Sequence, residues 1–194
     1  MVAITDSDRM VIKEALPELD LIGDEDLRDK TTEALTLLWK ESTWADIYVV
    51  PYLTERPEVS WVVHTRFVAR GAATMADLFK ELTGKEYDRD LIVAAALLHD
   101  ASKFQEYAKT DDGYDKSELG YKIQHSLYAA HVALNVGLPL DVVHLIVSHT
   151  PMAFVKPKLP EGWILREVDG LMLETLMNMS IDQYVSGYYG KPGS

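Results

Sequence analysis

All six histidines of this 194-residue chain lie between positions 64 and 149. The most pointed feature is the adjacent pair His99-Asp100, which follows an apolar run, Leu91 to Leu98, that reads as a buried helix. A buried imidazole beside a buried carboxylate costs on the order of several kcal/mol in desolvation unless the two are paired, hydrogen-bonded or bound to a cation. A divalent metal removes that cost, and neutral imidazole nitrogen with carboxylate oxygen suits Fe, Mn, Co, Ni or Zn. Adjacent residues supply only two positions of a coordination shell, so other elements must bring the remaining ligands. The chain has no cysteine, which excludes disulfides, thiol nucleophiles and thiolate metal sites together.

Charge narrows the partners. With 19 basic against 31 acidic residues the net charge is −12, which repels a polyanion and argues against binding to a nucleic-acid polymer. A small anion remains compatible with this surface if fixed positive charge is concentrated inside a pocket. No apolar run approaches the roughly 20 residues of a membrane-spanning helix, and the first residues lack the basic and apolar segments of a secretory signal. The expectation is a soluble, cytoplasmic protein with no membrane partner; a homo-oligomer is compatible with the sequence.

The elements that must position these residues read as helices between breakers. Asp24 caps a helix over Glu25–Glu41. Pro57 suits a first helical turn, and apolar spacing carries that helix to Gly84 as its terminator. Asp88 or Asp90 caps Leu91–Ala101. Tyr107–Leu119, rich in Asp, Gly, Ser and Lys, reads as a loop. A helix over about Lys122–Asn135 ends at Gly137; another follows Pro139 and reaches about His149, where Pro151 stops it. Met152–Leu159, with Pro151, Pro157 and Pro160 in and around it, reads as an irregular flap before a last helix over about Glu161–Met179. Ile47–Leu53 is the only strand candidate, and Pro51 interrupts it. The expected architecture is all-α, a compact helical bundle. Its expected divisions are an N-terminal helical extension over 1–56, a domain over 57–183 that carries all six histidines and the candidate metal ligands, and a tail over 184–194.

Five segments then stand in a telling order: His64-Thr-Arg-Phe-Val-Ala, Ala-Ala-Ala-Leu-Leu-His99-Asp100-Ala-Ser-Lys103, His125-Ser-Leu-Tyr-Ala-Ala, Ile146-Val-Ser-His149-Thr and Arg166-Glu-Val-Asp169. In this order the chain resembles the HD-domain superfamily, helical metal-dependent hydrolases defined by a separated His, an adjacent His-Asp pair and a later Asp. The resemblance covers about Ser60 to Met179. It implies His64, His99, Asp100 and Asp169 as ligands of one metal, with Asp182 a competing acid for the last position. It implies His125 and His149 as completing a second site, with Asp100 able to bridge, and so two divalent transition-metal ions (Fe, Mn, Co, Ni or Zn). The HD-GYP branch follows its last histidine with another, whereas Thr150 follows His149 and no Gly-Tyr-Pro occurs, which argues against cyclic-di-GMP as substrate.

Helical phase separates the remaining histidines. His131 lies six residues from His125, a rotation of roughly 120°, and His144 lies five from His149, roughly 140°; neither is expected to be a ligand. Lys103, one turn beyond the His-Asp pair, matches a lysine that reaches over the metal toward a substrate anion in many family phosphohydrolases. Arg66 reads equally as a phosphate binder or as the partner of a carboxylate. The function implied is a phosphohydrolase that attacks a small phosphorylated metabolite or nucleotide with metal-bound hydroxide, Asp100 and Lys103 carrying catalytic roles. The alternatives are an HD-type di-iron oxygenase that cleaves a carbon bond with dioxygen, and a non-catalytic metal-stabilised binding module.

Overall fold

The structure, a computed structural model, describes residues 3–175. Its centre is α4 (Arg89–Leu98), whose cap is the Asp88 side chain accepting from Leu91 N at 2.9 Å. Every residue from Leu91 to Leu98 is buried. Fully burying a large aliphatic side chain contributes about 1.5–3 kcal/mol, so Ile92, Leu97 and Leu98 alone anchor this helix strongly. Around it pack α2 (Glu25–Lys40), α3 (Trp61–Thr83), α8 (Leu140–Ser148) and α9 (Pro160–Thr175). Ile12 and Ala15 of α1 (Asp6–Ala15) and Leu35 and Leu38 of α2 join the same core as α4.

Several expectations hold at the residue level. Asp24 caps α2 by accepting from Leu27 N, and Gly84 closes α3 at φ 71°, in the left-handed region that disfavours a side chain. Other boundaries move. Pro57 lies in a strand: β1 (Pro51–Leu53) pairs antiparallel with β2 (Arg56–Ser60), and α3 starts only at Trp61, where Ser60 accepts from Val63 N. Residues Ile47–Val49 form a 3-10 turn. The stretch read as a loop is a second hairpin, β3 (Tyr107–Thr110) with β4 (Gly113–Lys116), closed by the two-residue turn Asp111-Asp112, with Gly113 already paired to Thr110. Strands of four residues are too short to show a clear alternation.

The helix expected over Lys122–Asn135 is two helices. After a buried one-turn α5 (Lys103–Glu106), α6 (Glu118–Lys122) ends at Ile123 and Gln124, which are extended, and α7 begins at His125 and runs to Asn135. Gly71 of α3 permits close approach to α9: a Cβ there would meet Val168 Cγ1 at 2.7 Å. Asp182, Met177, Met179 and the expected 184–194 tail lie outside the described residues. No helix among the described residues is long and apolar enough to cross a membrane.

Candidate metal centre

Five elements deliver one polar cluster into the apolar core. His64 comes from the second turn of α3, His99 and Asp100 from the end of α4, His125 from the first position of α7, His149 from the end of α8 and Asp169 from the middle of α9. All four histidines and Asp100 are buried. His64 Nε2 lies 3.0 Å from His99 Nε2, 3.3 Å from Asp100 Oδ2 and 3.4 Å from Asp169 Oδ1. His149 Nε2 lies 3.6 Å and His125 Nε2 3.0 Å from the other Asp100 oxygen, Oδ1. Ligand atoms within 4.8 Å of one another form three overlapping groups, His64–His99–Asp100, His99–His149–Asp169 and Asp100–His125–His149.

The hydrogen bonds behind the rings decide what they present to the centre. His99 Nδ1 lies 2.7 Å from Ala96 O and His149 Nδ1 2.7 Å from Ile146 O. Both rings fold back on the last turn of their own helix, and a carbonyl partner requires the proton on Nδ1, leaving a lone pair on Nε2. His64 turns Nδ1 to the Met172 sulfur at 3.1 Å, also an acceptor. In the neutral form of the rings three imidazole lone pairs converge on two carboxylates, and Asp169 Oδ1 is buried without a hydrogen-bond partner. Such an arrangement of acceptors is repulsive until a cation enters it. The residues fit a divalent metal, and the backbone contacts fix the ligand tautomers as metal-binding histidines require.

Electrostatics point the same way. Burial pushes His64 and His149 down, keeping them neutral. Burial works to raise Asp100, but Lys103, His99 and His125 hold it well below the usual carboxylate range. His99 is raised despite its burial by Asp100 and Asp169, the attraction that a metal cation would also feel. His125 differs from the other three. Its Nδ1 lies 3.0 Å from Glu106 Oε2, and burial is outweighed by Glu106 and Asp100, so it is pushed up to about 9. Neither of its carboxylate contacts has hydrogen-bond alignment, so they act as charge contacts.

Lys103 is buried beneath the cluster, with Nζ 3.7 Å from Asp100 Oδ2, 3.9 Å from Glu106 Oε2 and 3.2 Å from the Tyr107 hydroxyl. Trp61 Nε1 donates to Asp100 O at 2.9 Å, and Tyr52 stacks on His64 with ring centroids 3.7 Å apart. A cavity of about 80 Å³ opens on Asp100, His125, His149 and Asp169, and is also lined by Thr150 and Arg166.

Three residues stay outside. Arg66, two residues and roughly 200° of helix from His64, meets both Glu18 carboxylate oxygens at 3.1 Å, so the carboxylate-partner reading describes it. His131 contacts Asn135, and His144 accepts from Lys158 N. Glu106, Tyr52 and the cavity position of Arg166 were not anticipated. The signals available were slight: Glu106 is one turn from Lys103, and Arg166 is one turn from Asp169.

The sequence is similar to known proteins. The chain is 34% identical over 95 residues to the dihydroneopterin 2′,3′-cyclic phosphate phosphodiesterase of Methanocaldococcus jannaschii, a match covering 48% of this chain and 38% of that relative. No solved structure matches the chain significantly. A family model described as HD domain matches residues 61–172. That stretch opens at the first residue of α3 and closes within α9, taking in every side chain delivered to the cluster; the chain belongs to the HD domain family.

Proposed function

We propose that this protein is a metal-dependent phosphoric ester hydrolase acting on a small anionic substrate. The observation that carries the reading is the division of Asp100 between two ligand groups. Its Oδ2 faces His64 and His99, with Asp169 beside them, while its Oδ1 faces His125 and His149. Two divalent ions held by these two groups would each find one Asp100 oxygen among their ligands. The relative's name, a phosphodiesterase acting on a cyclic phosphate, supports phosphorus as the reacting centre.

Bound divalent ions supply Lewis acidity, making water more acidic and neutralising charge on a phosphoryl group. The chain's own residues do the rest. Ala96 O and Ile146 O aim His99 and His149, the Glu106 carboxylate stands 3.0 Å behind His125, and Lys103 keeps Asp100 ionised while adding positive charge below the centre. The apolar shell from α4 and α8 limits bulk water and strengthens these interactions. In the hydrolysis, water oxygen forms a bond to phosphorus, the ester P–O bond breaks, and a proton from water ends on the leaving oxygen.

The test begins with metal-free protein reloaded separately with Mn, Co, Ni, Zn, Mg or Fe. A panel of phosphate monoesters and diesters, 2′,3′-cyclic nucleotides included, is assayed with and without dioxygen. Phosphoester cleavage that persists without dioxygen is expected. Wild type should bind two metal equivalents, and His125→Ala or His149→Ala close to one. Turnover confined to the iron-loaded protein, requiring dioxygen and leaving phosphate esters intact, would refute the proposal in favour of a di-iron oxygenase. A wild-type protein that holds metal but acts on nothing in the panel would favour a binding module.

A further inference from the structure

The acidic chain needs a cation to hold an anion at this centre, and the two basic residues singled out in the sequence are otherwise engaged. Arg66 is bound to Glu18, Lys103 is buried against Asp100 and Tyr107, and neither lines the cavity. Arg166 does line it. Three residues before Asp169 on α9, it lies one turn away on the same helix face. Its Nη1 is shielded from solvent and has no hydrogen-bond partner among the described residues. Its guanidinium carbon lies 5.6 Å from the centre of the Trp163 ring, a cation–π contact that holds the head in place without using its N–H donors.

An N–H shielded from solvent and left unpaired costs about 1–3 kcal/mol, so the structure retains a donor whose natural partner is an incoming anion. Among the described residues the other ionisable ones lining the cavity are Tyr52, Asp100, His125, His149, Glu167 and Asp169, which leaves Arg166 as the one permanent cation among them. A planar guanidinium fork matches two oxygens of a phosphate. We propose that Arg166 binds the non-bridging phosphoryl oxygens of the substrate, and that the substrate is a phosphate ester held by its phosphoryl group. A cavity of about 80 Å³ has room for about three waters at about 30 Å³ each; the organic part of the ester therefore extends beyond it. This inference rests on the phosphoric ester reading above.

The experiment compares metal-loaded wild type, Arg166→Gln and Arg166→Lys at matched metal content. Inorganic phosphate is titrated by calorimetry, and kcat and KM are measured with bis(4-nitrophenyl) phosphate. Arg166→Gln should weaken phosphate binding about 10- to 100-fold, the loss of charge-assisted hydrogen bonds, and raise KM. Its metal stoichiometry should stay at the wild-type value. Arg166→Lys, which keeps the charge without the fork, should fall between the two and serves as the test if the Gln variant does not fold. Phosphate affinity and KM unchanged in the Lys and Gln variants, with wild type active, would overturn the role of Arg166 alone. Wild type that neither binds phosphate nor cleaves the ester with any metal would overturn the phosphohydrolase reading and this inference with it.

Discussion

Replacing Glu106 with Gln tests the support of the centre. Glu106 is fully buried; its Oε2 stands 3.0 Å from His125 Nδ1 and 3.9 Å from Lys103 Nζ, and Oε1 stands 4.0 Å from Lys116 Nζ. Gln keeps the shape and removes the charge. At an effective dielectric of about 20, a pair at this separation is worth about 4 kcal/mol, most of it offset by the desolvation that a neutral amide no longer suffers. A net loss of about 1–3 kcal/mol remains, which for a chain of this size lowers the melting temperature of metal-free protein by about 2–12 °C. With metal the effect is selective. A carboxylate behind a ligating imidazole orients the ring and raises its basicity, and losing one weakens metal affinity about 10- to 100-fold. Only the Asp100–His125–His149 group has Glu106 behind it, so calorimetric titration should show one weakened equivalent and one unchanged. Two equivalents of wild-type affinity, or equal weakening of both, would refute the reasoning.

Two further outcomes follow from the packing and the surface. Gly71→Ala places a Cβ 2.7 Å from Val168 Cγ1 and must displace that side chain or part α3 from α9; a destabilisation of about 1–3 kcal/mol in denaturant unfolding is expected, with weaker metal retention because those helices carry His64 and Asp169. Asp8 joins α1 to Lys40 of α2 at 2.9 Å and caps with Thr5; the Lys40 and Thr5 hydrogen bonds hold its carboxyl down to about 2, from 3.8. A depressed carboxyl stabilises the fold above its unfolded value, so wild type should exceed Asp8→Asn fully at neutral pH, the difference shrinking as pH falls from 3.8 through about 2. Unfolding curves of both proteins across that range check it; a difference independent of pH would refute it.

The helical scaffold was legible because its signals are local. Asp24 and Asp88 cap, Gly84 terminates, and the uninterrupted apolar run Leu91–Leu98 can only be central. The strand candidate Ile47–Leu53 holds in its last three residues, β1, but neither hairpin was read, because the strands have only three to five residues and because Pro57 satisfies an edge strand as readily as a helix start. The break between α6 and α7 was missed for a related reason: Ile123 and Gln124 carry no breaker, and their extended backbone places His125 at the start of a helix aimed at Asp100.

The order of His64, His99-Asp100, His125, His149 and Asp169 by itself determined the family and a shared centre, since those residue types at the ends and faces of apolar helices have few other stable environments. Which charges support that centre only the tertiary structure decided. Lys103 and Arg66 have spacings compatible with anion binding, yet one is buried against Asp100 and the other is tied to Glu18, 48 positions away in the chain. Arg166 carries no stronger local signal than either and lines the cavity with a donor unpaired. A helix's own period says where a side chain points, but the charge it meets belongs to another element. Coulomb energy falls with distance through space, and that distance is set when α3, α4, α7, α8 and α9 pack.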